Sequence, residues 1–308
     1  MESSTTTVTA QDGTRMFTRC WLPDGAPTGV VVVVHGMAEH SGRYARLAEA
    51  LVAGGYAVYA ADLRGHGRTA TEETLGHFAD ADGWASTVAD LRAVTATAAA
   101  EHPEAPLFLL GHSMGSELSR AYVIEDSSGL AGLVLSGTVG NPGPAGRVGR
   151  GIAAAEARLR GGRHRSALLD RLVFGQYNAA FRPARTDFDW LSREESEVDA
   201  YVADPLCGTT STSRFFVDLL GGVAGVNDPE RVARVRADLP VLLVGGAEDP
   251  AGHGGRGPRE VGQQYRNAGL TDVTCTIYPQ ARHELFNETN RDEVTADVLA
   301  WLDAHLPS

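Results

Sequence analysis

Apolar and polar positions fall into three rhythms along the chain. At the start, short apolar stretches at 8–10 and 16–21 flank Asp12-Gly13, a dipeptide suited to a tight turn, and predict an antiparallel hairpin. From residue 30 the pattern changes. Five consecutive valines, 30–34, make an unbroken apolar run of strand length, as expected where helices cover both faces of a sheet. Tyr44, Leu47, Ala48 and Leu51 then recur at helical spacing, and Gly54-Gly55 supplies a stop. Strand and helix continue to alternate: a strand at 56–61, a turn in RGHGRT, a helix over 83–101 ended by Pro103, a strand at 107–110, a helix at 114–125 and a strand at 130–135. Alternation of this kind predicts a mostly parallel sheet with helices on both faces.

Between 140 and 228 the alternation lapses. A Gly/Pro/Arg-rich opening, NPGPAGRVGRG, leads into helical stretches such as ALLDRLVFGQY, with no strand-like run. Strands return at 241–244 and 273–278, separated by a helix at about 259–267 and followed by a closing helix on which Val294, Val298 and Leu302 share a face. The expectation is therefore an α/β core of about eight strands, built from 1–139 and 229–308, with an inserted helical cap at 140–228. A chain of 308 residues with 43% hydrophobic content can bury one such core.

Charge and cysteine content narrow the function classes. The formal net charge of -12 argues against a nucleic-acid partner, because phosphate binding needs clustered basic groups. All 27 basic residues are arginines, which removes lysine-based mechanisms. Cys20, Cys207 and Cys275 are scattered and form no CxxC pair, so neither a disulfide frame nor a zinc site is suggested, and no cofactor is implied. The opening MESSTTTVTAQDGTR lacks the form of a secretory signal and no apolar run is long enough to span a bilayer, so a cytoplasmic location is expected.

The chemistry is concentrated at strand ends. GHSMG, at 111–115, sits between a buried strand and an amphipathic helix; a serine at such a sharp turn is held exposed, and the flanking glycines allow close backbone approach. A serine hydroxyl needs a base within hydrogen-bond reach and a carboxylate to orient that base. Two later strands end suitably: 241–245 runs into GAEDP and 273–278 into PQARHELF. Ser113, Asp249 and His283 thus follow the chain order of the α/β-hydrolase triad. Glu248 competes with Asp249 for the acid; His102, His164, His253 and His305 lie in less suitable surroundings.

HGMAEHSGRY, DLRGHGRT, GHSMGSE, the GAEDP loop and ARHELFNETN together resemble the monoacylglycerol lipase and lysophospholipase-like branch of the serine α/β-hydrolases, and LSREESEVDAYVADPL is similar to the segment leading out of the lid in those lipases. The two backbone donors that such enzymes aim at the oxyanion fall on the amides of Met37 and Met114. The resemblance further implies that Glu39, Arg43, His112 and Tyr201 lie near the headgroup of a small-molecule acyl ester. An ion pair between Glu39 and Arg43 that only braces the loop is an equal alternative. His35 is expected to stay neutral and fix the loop, and a metal reading of His35 with His40 is poor on spacing.

In the cap, Leu168, Leu169, Leu172, Val173 and Phe174 could cover an acyl chain, pack on the core, or make transient contact with a lipid surface. The expected activity is serine carboxylic-ester hydrolysis of substrates such as monoacylglycerols or lysophospholipids. A thioesterase or acyltransferase would use the same triad. An aminopeptidase would need acidic cap residues such as Glu194, Glu195 and Glu197, and non-catalytic relatives of this fold typically lack triad residues that are present here.

Overall fold

The computed structural model describes residues 2–307, so both chain ends of the expected core lie outside the described residues. Strands β1 (Glu2–Thr9) and β2 (Arg15–Leu22) form the expected hairpin, with Gly13 at positive φ in its turn. Six further strands follow: β3 (Gly29–Val34), β4 (Tyr56–Ala61), β5 (Leu107–His112), β6 (Gly132–Ser136), β7 (Val241–Gly246) and β8 (Val273–Tyr278). All eight join one sheet in the order β1-β2-β4-β3-β5-β6-β7-β8. The hairpin pairs antiparallel, with β2 on β4, and every other pairing is parallel. This is the α/β-hydrolase fold.

The valine run reads as a buried strand because it is one. Val30 to Val34 are at most 2% exposed, and alternate side chains join separate apolar clusters on the two faces of the sheet. Burying each valine contributes on the order of 1.5–3 kcal/mol, so the innermost strand is specified by composition alone. Helices α1 (Ala45–Ala53), α2 (Gly83–Glu101) and α3 (Met114–Glu125) fill the first half; α9 (Arg256–Asn267) and α10 (Arg291–Ala304) complete the second. β5 runs two residues beyond the expected end, to His112, because its pairing with β6 continues through Ser136.

Between β6 and β7 the chain forms α4 (Gly143–Arg160), α5 (Ala167–Phe174), α6 (Glu195–Ala203), α7 (Ser213–Val226) and the short α8 (Pro229–Val232). These helices do not all stand off the core. Thr212 caps α7 by accepting from the Phe215 amide, and α7 buries Phe215, Phe216, Leu219, Val223 and Val226 in the same cluster as α2 and α3. The Phe215 and Phe78 rings lie 4.2 Å apart. A smaller apolar cluster of Trp190, Leu191, Tyr201 and Ala251 sits where the insert meets the loop after β7.

Candidate active site

Ser113 has φ 51 and ψ -122, a conformation that few non-glycine residues adopt and that a surrounding structure must enforce. Close packing enforces it. A Cβ at position 115 would lie 2.1 Å from the Val34 carbonyl oxygen, and one at 111 would lie 2.4 Å from that of Gly115, so both glycines are needed for α3 to cross β3 and β5 this tightly. The Ser113 amide donates to the Ser136 carbonyl at 2.9 Å, tying the turn to β6. The serine therefore stands at the carboxyl edge of the sheet beside the positive end of α3.

Two strand-end loops meet opposite it. His283 Nδ1 donates to Asp249 Oδ2 at 3.0 Å, and Asp249 Oδ1 accepts from the Ala251 amide at 2.9 Å. Asp249, the histidine's hydrogen-bond partner, is 1% exposed, whereas Glu248 faces solvent. Gly246 makes the meeting possible: a Cβ there would lie 2.2 Å from the carbonyl oxygens of Ala281 and Arg282. Burial works against a charged His283, but the Asp249 carboxylate, with Glu284 and Glu39 beyond it, more than offsets this and holds the imidazole above its ordinary value. No hydrogen bond joins Ser113 to His283 in this arrangement, a looseness common before substrate binds, although both border one cavity.

The loop after β3 is braced from every side. His35 Nδ1 donates to the Gly36 carbonyl at 2.8 Å while Nε2 accepts from the Leu63 amide at 2.9 Å; burial lowers its pKa to about 4 and it stays neutral, as its expected supporting role requires. Glu39 Oε1 accepts from the Gly36 amide at 2.6 Å and from the Tyr44 hydroxyl at 2.8 Å. Arg43 bridges Glu39 to Glu284, the residue after His283, gripping the latter with both terminal nitrogens. Burial would raise the Glu284 carboxyl, but Arg43 outweighs it and holds the group down at about 2. The Tyr201 hydroxyl donates to the Ala38 carbonyl at 2.9 Å and its ring lies under the Arg43 guanidinium. His40 accepts from Gly42 through Nδ1 and donates to Asp204 through Nε2; with Cys207 these groups lie within 4.8 Å of one another, but both ring nitrogens are already engaged, as a hydrogen-bonded brace requires and a metal ligand does not.

Two arms of the cavity diverge from Ser113 and His283. One is bordered by Gly36, Glu39, His112, Asp170, Tyr201 and Glu284; the other by Met114, Val139, Val173, Tyr177, Leu219 and Val223; Met37, Phe174 and Trp190 border both. Among the described residues no acceptor takes the Met37 amide, and the Met114 amide, first in α3, has no partner within its helix. His112 lies behind His283, ring centroids 4.8 Å apart, and burial and that neighbour push its pKa down to about 4. Glu194, Glu195 and Glu197 border neither arm and pair with Arg291, Arg185 and Arg46.

Against families of known proteins, residues 25–290 match the model described as serine aminopeptidase, S33. The chain belongs to this family. Among its relatives, a monoacylglycerol lipase from Mycolicibacterium smegmatis is 33% identical over 96% of this chain and 95% of that protein. A monoglyceride lipase from Mus musculus is 32% identical over 94% of this chain and 85% of its own. In three dimensions, a thermostable carboxyl esterase from Bacillus coagulans, solved in complex with glycerol, superposes with a TM-score of 0.92 at 26% identity, covering 100% of both chains. The S33 membership and the lipase likeness both agree with the resemblance seen in the motifs.

Three features of the site had no signal in the sequence. Glu284 adjoins His283 but nothing in ARHELF marks it as the anchor of Arg43. Trp190, whose ring lies 5.0 Å from His283, and Asp170 come from the insert, where sequence periodicity does not tell a cavity-facing side chain from a packed one.

Proposed function

We propose that this serine hydrolase of acyl esters works through Ser113, His283 and Asp249, with the insert at 140–228 as its cap and monoacylglycerols as its substrates. The observation that carries the reading is the convergence of Ser113 with the Asp249–His283 pair where two arms meet, a more apolar one and one bordered by Glu39, Asp170 and Glu284, called the polar arm for these carboxylates although apolar groups make up most of its wall. His283 Nε2 takes the Ser113 proton as Oγ bonds to the ester carbonyl carbon, and the oxyanion accepts from the Met37 and Met114 amides. The C–O bond to the alcohol then breaks, with His283 protonating the leaving oxygen. Water attacks the acyl-enzyme, gives its proton to His283, and the acid departs as Ser113 recovers that proton. The acyl chain occupies the apolar arm and the alcohol the polar one, each matched to its lining.

Glu39 and Tyr201 border the alcohol arm, while Arg43, spent on two carboxylates, acts by holding the Met37 loop against the His283 loop. Presentation of a lipid substrate is supported by the outer face of the cap. Leu159, Leu168 and Leu172 are 83%, 53% and 56% exposed, and Arg158, Arg160 and Arg171, their neighbours in the chain, are exposed as well, a composition suited to the boundary of an anionic lipid surface. Among the described residues, no helix is long and apolar enough to cross a membrane.

Labelling by a fluorophosphonate probe, followed by mass mapping, tests the nucleophile. Ser113→Ala should lose the label and reduce hydrolysis of a monoacylglycerol and a chromogenic ester by about 10⁶-fold in kcat with the fold retained. Undiminished turnover by that variant would overturn the assignment.

A further inference from the structure

Three carboxylates and, among the described residues, no arginine border the polar arm of the cavity. Glu39 and Glu284 share the single guanidinium of Arg43, so that cluster keeps one net negative charge. Asp170 borders the same arm from α5. Its backbone amide is used within the helix start, but among the described residues its carboxylate has neither a hydrogen-bond nor an ion-pair partner. Burial alone acts on that carboxyl and pushes its pKa above the ordinary value. A half-buried carboxylate without partners carries an unrecovered desolvation cost, and the cost falls when a bound molecule brings donors to it.

We propose that Asp170 is a specificity-determining residue for the leaving alcohol: the polar arm takes an uncharged alcohol with free hydroxyl donors and rejects one that bears phosphate. Glycerol meets that requirement. The leaving groups of lysophospholipids and of acyl-coenzyme A carry phosphates, and the field of Asp170 together with the Glu39–Arg43–Glu284 cluster opposes their entry. The inference rests on the ester-hydrolase reading of Ser113 and chooses among its substrates. A carboxylate is apt for this task because it pairs with two hydroxyl groups at once and repels an anion at longer range.

The test uses two soluble esters that differ only in the headgroup charge, 1-butyrylglycerol and 1-butyrylglycerol 3-phosphate, beside a chromogenic butyrate. At low salt the wild-type kcat/KM for the uncharged ester should exceed that for the phosphorylated one by about 100-fold, and Asp170→Asn should narrow the ratio about tenfold, chiefly through KM of the phosphorylated ester. Equal wild-type turnover of the two, or a ratio untouched by Asp170→Asn, overturns the inference while leaving the esterase reading standing. If the variant does not fold, the wild-type ratio itself decides: it should fall as ionic strength rises, and a salt-independent ratio overturns the inference. A protein inert towards all three esters overturns the esterase reading and this inference with it.

Discussion

On the sheet side of the cavity, Arg43 is gripped by two buried carboxylates, His35 uses both ring nitrogens on backbone groups, and Ser113 is locked by glycines on either side. On the helical side, α5 presents Leu168 and Leu172 to solvent while Leu169 is 1% exposed and Val173 and Phe174 border the cavity. The first wall is over-determined: His35, Glu39, Arg43 and Asp249 are each held by at least one neighbour whose removal leaves a buried polar atom unpaired. The second is held largely by apolar packing, which tolerates exchange and movement. On the proposed mechanism, chemistry with strict geometric demands falls on the strand ends, and selection among substrates on the helices that cover them.

The contrast predicts a descending series of effects. Asp249→Asn should lower kcat by about 10⁴-fold by leaving His283 in the wrong tautomer, whereas Glu248→Gln should change it little; steady-state kinetics on a chromogenic ester checks both. Arg43→Met should destabilise the protein by about 3–5 kcal/mol, measured by denaturant unfolding, because Glu39 and Glu284 would remain buried without their counter-charge. It should impair chromogenic and monoacylglycerol substrates alike, and a KM rise confined to the monoacylglycerol would restore direct headgroup contact by the guanidinium.

Acid inactivation should come next. On the proposed mechanism His283 must be neutral to accept the Ser113 proton, and its pKa is raised, so kcat/KM should be lost as pH falls through a midpoint above the ordinary 6.5. A midpoint below that value would show that Asp249 does not dominate the environment of the imidazole. The smallest effect belongs to the outer wall. Leu168→Asp with Leu172→Asp should reduce hydrolysis of monoacylglycerol in anionic vesicles by roughly fivefold while a soluble ester is cleaved within about twofold of the original rate. Equal loss on both substrates would assign those leucines to cap folding and not to the lipid surface.

Much of the sheet side was legible in the chain. The valine run, the glycines flanking Ser113 and the Asp-Gly turn each carry a local physical requirement, and local requirements survive in sequence. The strand ends also bring Asp249 and His283 to one edge once the sheet is assumed parallel. The helical side was legible only as helix. Leu168, Leu169, Leu172 and Val173 share a composition, yet one pair faces solvent, one packs in the core and the other borders the cavity. α7, part of the insert, packs into the main core through Phe215 and Phe216.

The amino-acid order alone specified the buried strands, the turn at Ser113 and the placing of Ser113, Asp249 and His283 after successive strands, because periodicity and backbone sterics act over a few residues. Folding decided the rest. Arg43 lies 241 positions from Glu284, and the Tyr201 hydroxyl reaches the Ala38 carbonyl across 163. Whether a charged side chain braces a loop, meets a substrate or, as Asp170 does among the described residues, stands unpartnered depends on which opposite charges and hydrogen-bond donors arrive beside it. That pairing is a property of three-dimensional proximity and burial, to which a linear pattern gives no access.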